Sequence, residues 1–306
     1  MLRSFLAALL VASALVAGCS DDDTPNPGTL ALAFTGLSPL ENGYHYEGWA
    51  VTSAGAVSTG KFNVGANGTL VTTSGSAIPS GEFATGLNLS SATDIVITIE
   101  PPGDTDTTPA TTKMFAGPVV GNSASLAVGG AQALGSDFTT AVGSFILATP
   151  TDGDTMPFSD PNNTNERSGI WFLDLSTGTP APMTLPTLPA GWKYEGWVVI
   201  NGTPVSTGTF TSASAADDSA LFSGATAGPP FPGEDFLQNA PSGLTFPTDL
   251  RGTTAVISIE PSPDDSAAPF TLKPLVGTVP ASALDHVTYA LTNQASGNPT
   301  GTATIR

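Results

Sequence analysis

Tyr44-His45-Tyr46-Glu47-Gly48-Trp49 returns later in the chain as Trp192-Lys193-Tyr194-Glu195-Gly196-Trp197. The two stretches hold register with the residues beyond them. Val57-Ser58-Thr59-Gly60 with Phe62 answers to Val205-Ser206-Thr207-Gly208 with Phe210. Ile97-Thr98-Ile99-Glu100-Pro101 answers to Ile257-Ser258-Ile259-Glu260-Pro261, and Lys113 with Gly117 answers to Lys273 with Gly277. The chain therefore reads as two copies of one unit, and 306 residues are enough for two cores. Residues 30–150 and 169–306 are the expected repeats, joined by a polar linker at 151–168.

Between these phrases, the composition is that of short strands joined by turns. Only 11% of residues are charged, 40% are hydrophobic, and there are 34 Gly and 27 Pro. The expected class is all-β: two tandem antiparallel β-sandwiches related by duplication. With 26 acidic against 8 basic residues and no basic cluster, the chain offers nothing to a phosphate backbone, so nucleic acid is excluded as a partner.

At the N-terminus, Arg3 precedes the apolar run Phe5 to Val16, which is too brief to span a bilayer and is followed by Ala17-Gly18-Cys19. This is a secretory signal over residues 1–18, and its end resembles the lipobox of bacterial lipoproteins. Cys19 is the single cysteine, which removes disulfides and multi-cysteine zinc sites and leaves lipidation as its use. Ser20, not Asp, follows it, which favours the outer membrane by resemblance to enterobacterial sorting. Residues 19–29, rich in Asp, Pro, Thr and Gly, bury no apolar surface and read as an acidic tether to a lipid anchor.

Alternation along the strand puts Tyr44, Tyr46 and Gly48 on one side and His45, Glu47, Trp49 and Val51 on the other. Glu47 with Trp49, and Glu195 with Trp197, are the candidate ligand-binding residues, since an aromatic face stacks on a sugar ring and a carboxylate accepts its hydroxyls. The favoured reading makes each Trp a core anchor, equivalent in the two copies, with the Glu satisfying nearby backbone or a lysine. Residues 94–100 and 254–260 read as buried strands ended by Pro101 and Pro261. The same loop length from Glu100 to Lys113 and from Glu260 to Lys273 suggests a hairpin with an ion pair at its base. Ser144 to Leu147 and Thr302 to Ile305 close their respective copies. In the linker, Asp152, Asp154, Asp160, Asn162, Asn163, Asn165 and Glu166 supply oxygen ligands of the kind calcium takes, but their spacing is not that of the helix-loop-helix calcium motif. The linker is read as a solvated connector, and no metal or cofactor is expected.

A Tyr-x-x-Trp strand, a Pro-Val-Ser-x-Gly-x-Phe phrase, a Val-x-Ile-Glu-Pro strand and a Leu-x-Gly close together resemble the extracytoplasmic domain of anti-sigma-K factors. The matching residues are Tyr46, Trp49, Val57, Ser58, Gly60, Phe62, Glu100, Pro101 and Gly117, then Tyr194, Trp197, Pro204, Val205, Ser206, Gly208, Phe210, Glu260, Pro261, Leu275 and Gly277. The resemblance covers about residues 36–117 and 184–277 and implies an all-β sandwich outside the membrane. The chain departs from the family in having no sigma-binding domain and no membrane helix after its leader.

Enzyme inventories are poorly met. His45 aligns with Lys193 and His286 has no partner in the first copy, so the repeats share no histidine base. There is no Gly-x-Ser-x-Gly elbow and no phosphate loop. The expectation is a lipid-anchored, non-enzymatic binding or sensing module of the cell envelope, with an envelope protein or a glycan as partner. The alternative is an envelope polysaccharide hydrolase using paired carboxylates such as Glu47 and Glu100.

Overall fold

The computed structural model describes residues 28–154, 163–264 and 266–306. The leader at 1–18, Cys19, most of the tether and the middle of the 151–168 linker lie outside the described residues. The tether ends slightly sooner than expected, because Gly28 N–H already donates to Leu87 O at 2.7 Å and Thr29 begins a paired strand.

The described residues form an all-β protein without α-helix, its strands pairing antiparallel and interrupted only by short 3-10 segments. No helix among them is long and apolar enough to cross a membrane. The largest sheet has nine strands. In spatial order they are Leu70–Val71, Gly55–Val64, His45–Thr52, Asp94–Glu100, Lys113–Val120, Ser123–Ala127, Thr300–Ile305, Thr29–Thr35 and Glu82–Ala84. A five-stranded sheet runs Thr203–Phe210, Trp192–Ile200, Thr254–Pro261, Leu275–Thr278, Thr292–Asn293. A four-stranded sheet runs Gly233–Asp235, Gly169–Trp171, Ser144–Leu147, Tyr289–Ala290.

The middle of each large sheet repeats one pattern. His45–Thr52 lies between Gly55–Val64 and Asp94–Glu100, and Trp192–Ile200 lies between Thr203–Phe210 and Thr254–Pro261. Runs such as Ile95-Val96-Ile97 predict strands buried on both faces. The two faces indeed enter different cores. Tyr46, Ala50, Phe62, Ile97 and Phe115 join the main cluster, while Trp49 and Val96 pack with Ala116 and Ala133 on the opposite side. The main cluster takes in Leu30 and Leu126 from the first copy and Tyr194, Ile257 and Leu275 from the second, so the sheets share one interior.

The closing strands fall where the sequence pattern does not put them. Thr300–Ile305 is not in the second copy's sheet; it pairs with Thr29–Thr35 and Ser123–Ala127, with Leu30 opposite Ile305 and Ala303 opposite Ala124. Ser144–Leu147 does not close the first copy; it pairs with Gly169–Trp171 and Tyr289–Ala290. The last strand of each expected repeat thus pairs with strands of the other stretch, and a division of the chain at 150 and 169 cuts across the nine-stranded and the four-stranded sheets. Alternation dictates which face of a strand is buried, but an antiparallel ladder is made by backbone groups that any neighbouring edge can supply.

Candidate functional site

Each repeated motif is organised by a bulge. In the first, Lys61 lies opposite Glu47 and Gly60 opposite Gly48; the register then skips Thr59, so Trp49 faces Ser58. In the second, Thr209 lies opposite Glu195 and Gly208 opposite Gly196; the skip at Thr207 sets Trp197 against Ser206. The extra residue bends the strand and turns its side chain inward. Gly60 and Gly208 adopt φ of 139° and 124°, which a side chain rarely tolerates. A Cβ on Gly48 or Gly196 would collide with the hydroxyl of Thr59 or Thr207, so the gap at the strand centre is filled by the bulged threonine.

The bulge lines up a buried polar ladder. Ser58 Oγ donates to Glu47 Oε1, and Ser206 Oγ to Glu195 Oε1. Trp49 Nε1 donates to Thr98 Oγ1 at 2.9 Å, and that hydroxyl donates to Glu100 Oε1. Trp197 Nε1 donates to Ser258 Oγ at 2.8 Å, which donates to Glu260 Oε1. A backbone N–H completes each: Ala110 to Glu100 at 3.0 Å, Phe270 to Glu260 at 2.9 Å. On the other face Tyr46 stacks on Phe62 and Tyr194 on Phe210, with centroids 5.4 and 5.6 Å apart. Their hydroxyls donate to Ser38 O and Pro186 O.

The four residues singled out as ligand candidates are all interior. Trp49 and Trp197 are 0% and 2% exposed, Glu47 and Glu195 2% and 5%. The indoles present no face to a sugar, and each is tied by its N–H to a serine or threonine. The expected ion pairs at the hairpin base do not form within 4 Å among the described residues. Glu100 and Glu260 instead turn inward to accept hydroxyl and backbone donors. In the linker, the described carboxylates are held by local donors: Asp152 accepts from Asn165 at 3.0 Å, and Glu166 from Asn163 at 2.8 Å.

Charge separates the two motifs. In the first, Lys61 Nζ donates to Asp104 Oδ2 at 2.9 Å and to Asp104 O at 2.8 Å, and stands 3.6 Å from Glu47 Oε2. Burial raises the Glu47 pKa, with the Ser58 hydrogen bond and the Lys61 charge opposing it. Burial also acts upward on Asp104, but the bonds from Lys61 and the Asp106 backbone outweigh it and leave the carboxyl below its ordinary value. In the second motif Thr209 occupies the place of Lys61. The nearest lysine, Lys193, turns to Thr209 Oγ1 and Asp218 Oδ2, each at 2.9 Å. Burial there pushes Glu195 up to about 7 and Glu260 up to about 8. Carboxylate oxygens of Glu195, Glu260 and Asp264 lie within 4.8 Å of one another; in the first motif a ring nitrogen of His45 and carboxylate oxygens of Glu47 and Asp104 do so, with Lys61 against the two acids.

Sequence reasoning passed over Lys61, Asp104, Asp264 and the bonded hydroxyls. The signal was present: Ser58 and Ser206 follow their glutamates by the same interval, and Asp104 and Asp264 each stand four residues beyond Glu100 and Glu260.

Away from the ladders, an open cleft of about 750 Å³ crosses the strand exchange. Its floor includes Ala116, Ser125, Ala127 and Thr300, and its walls are the segments 129–140 and 295–299. Of the residues lining it, Asp137 alone is charged and none is aromatic.

Comparison of the chain with family models, with curated proteins and with solved structures returned no match.

Proposed function

We propose that the protein is a non-enzymatic binding module of the bacterial cell envelope, held by a lipid on Cys19 and presenting two motifs akin to the extracytoplasmic domain of anti-sigma-K factors. One observation carries the reading: the repeated Glu and Trp side chains are buried in the fold, while the open cleft of about 750 Å³ is chemically bland. A carboxylate pair that cleaves a polymer must reach it. Glu47 and Glu100 are each 2% exposed and accept hydroxyl donors through Oε1. The cleft at the strand exchange, by contrast, offers small side chains, hydroxyls and backbone. With no aromatic to stack on a pyranose, it suits an extended polypeptide better than a glycan. The favoured partner is therefore another envelope protein, and the outer membrane is the favoured anchor.

The test is crosslinking in cells from a photoreactive residue at exposed Ser125 in the cleft floor. The expected product is a defined adduct with an envelope protein. Absence of any adduct, together with sugar release from envelope polymers by the purified chain that is abolished in Glu100→Gln, would transfer the reading to a hydrolase. For the anchor, Cys19→Ser is expected to lose labelling by a clickable fatty acid and to leave the membrane fraction; a mutant that still labels overturns the lipid.

A further inference from the structure

The two motifs differ at one position in a way that reveals what the second lacks. Opposite Glu47 stands Lys61, whose ammonium lies against Glu47 and Asp104. Opposite Glu195 stands Thr209, whose side chain carries no charge. The acidic members are nonetheless retained there: Glu195, Glu260 and Asp264 bring carboxylate oxygens within 4.8 Å of one another. Glu195 and Glu260 are 5% and 1% exposed, and the Oε2 atom of each has no hydrogen-bond partner among the described residues. Buried carboxylate oxygens without donors are costly and call for a cation or a proton.

We propose that Glu195, Glu260 and Asp264 bind a divalent cation of hard, oxygen-seeking character, calcium foremost, at the place where the first motif seats the Lys61 ammonium. The donor set is all oxygen, with neither sulfur nor imidazole, which selects Ca²⁺ or Mg²⁺ over zinc and copper. Asp264 is exposed and leaves a path for the ion and for the waters that fill out its coordination. Calcium tolerates such an irregular shell, whereas magnesium demands a near-octahedral one. The neighbouring cations do not take the place. Lys193 is engaged by Thr209 and Asp218. Lys273 makes no ion pair within 4 Å among the described residues, and burial lowers its pKa against the pull of Glu260.

The motifs also supply the test. Trp197 is bonded through Ser258 to Glu260, so Tb³⁺ seated at the site is placed for sensitised emission. Full-length protein stripped with a chelator is expected to give tryptophan-sensitised Tb³⁺ luminescence that Ca²⁺ displaces, and to take up Ca²⁺ in calorimetry. Both signals are expected to be lost in Asp264→Asn, and in Thr209→Lys, which installs the first motif's ammonium. Circular dichroism on each variant verifies the fold. The reverse exchange, Lys61→Thr, is expected to add a second equivalent of bound ion through His45, Glu47 and Asp104. Absence of binding in the stripped wild type, luminescence that Ca²⁺ fails to displace, or binding that persists in either Asp264→Asn or Thr209→Lys overturns the proposal.

Discussion

The first motif gathers its acids around Lys61, whereas the second sets Glu195 and Glu260 opposite an uncharged Thr209. Bulge, tryptophan, hydroxyl and glutamate are otherwise alike, while the lysine of the second motif, Lys193, stands where the first has His45 and turns to Thr209 and Asp218. With Lys61, Asp104 titrates below its ordinary value. Without it, burial carries Glu260 to about 8 against the hydrogen bonds from Ser258 and the Phe270 backbone, with Asp264 and Glu195 adding to the rise. A shared backbone arrangement has thus been given two electrostatic solutions, one internal and one left to protons or ions from solution.

The largest expected effect tests how far the two halves are separate objects at all. Thr300–Ile305 pairs on both edges inside the sheet of the first half, and Ser144–Leu147 does the same in the second. Removing residues 299–306 exposes two strand edges and Leu30, Leu126 and their neighbours at once. The truncated chain is expected to lose its cooperative melt, a loss comparable with the whole stability of a domain, about 5–15 kcal/mol. A fragment of residues 30–150 is likewise expected to stay unfolded by circular dichroism. A cooperative melt of either would mean that each half closes on itself in solution.

Next comes the pair of tryptophans. Each buried indole holds a hydroxyl that in turn holds a glutamate, so truncation removes packing and leaves Thr98 or Ser258 without its donor. Trp49→Ala and Trp197→Ala are each expected to cost about 3–5 kcal/mol by denaturant titration. Similar losses would show that the ladder works alike whether or not a lysine is present. A much smaller loss for Trp197 would show that the cation-poor motif is already loose.

How much of this was readable in the chain depends on what repeats and what does not. The tyrosine, glycine and tryptophan of the organising strand recur with fixed spacing, so the strand, its two buried faces and its glycine gap were legible. The bulge was not, because it depends on the register between Gly48 and Gly60 across two strands. Lys61 and Asp104 were missed for a related reason: they meet Glu47 only after a hairpin and a long loop bring them to one face. Strand exchange was least legible, since Thr300–Ile305 alternates in a way that suits any sheet edge.

A smaller effect lies in pH. Glu195, Asp217, Asp235 and Glu260 belong to the second half, and burial pushes them up to about 7, 7, 6 and 8. An acid whose folded pKa is raised favours the folded chain while it is protonated in both states, and that stability is lost as pH climbs through the folded value. Chelator-treated protein is therefore expected to melt lower by on the order of 5 °C between pH 5 and 8. Glu260→Gln is expected to flatten that slope, while Glu47→Gln alters it little because Lys61 already opposes burial there. Melting that rises over this range would reverse the assignment of uncompensated acid to the second motif.

The smallest expected effect concerns the lysine that the second motif does own. Lys193 and Asp218 meet at 2.9 Å, but their side chains are 38% and 53% exposed, so water screens the pair. Asp218 also accepts from the backbone N–H of Thr209 through Oδ1 at 2.8 Å and from its hydroxyl through Oδ2 at 2.6 Å; asparagine keeps a carbonyl oxygen for the N–H and turns its amide, a donor, toward the hydroxyl, whose oxygen accepts. Asp218→Asn is therefore expected to cost less than about 1 kcal/mol. Lys61→Met is expected to cost more, about 1–3 kcal/mol, because it strands Glu47 in a site that is 2% exposed. Thermal or urea denaturation of both variants under one set of conditions measures the difference. Equal costs would mean that Lys61 is as well screened as Lys193, and the electrostatic contrast between the motifs would then reside in the buried glutamates alone.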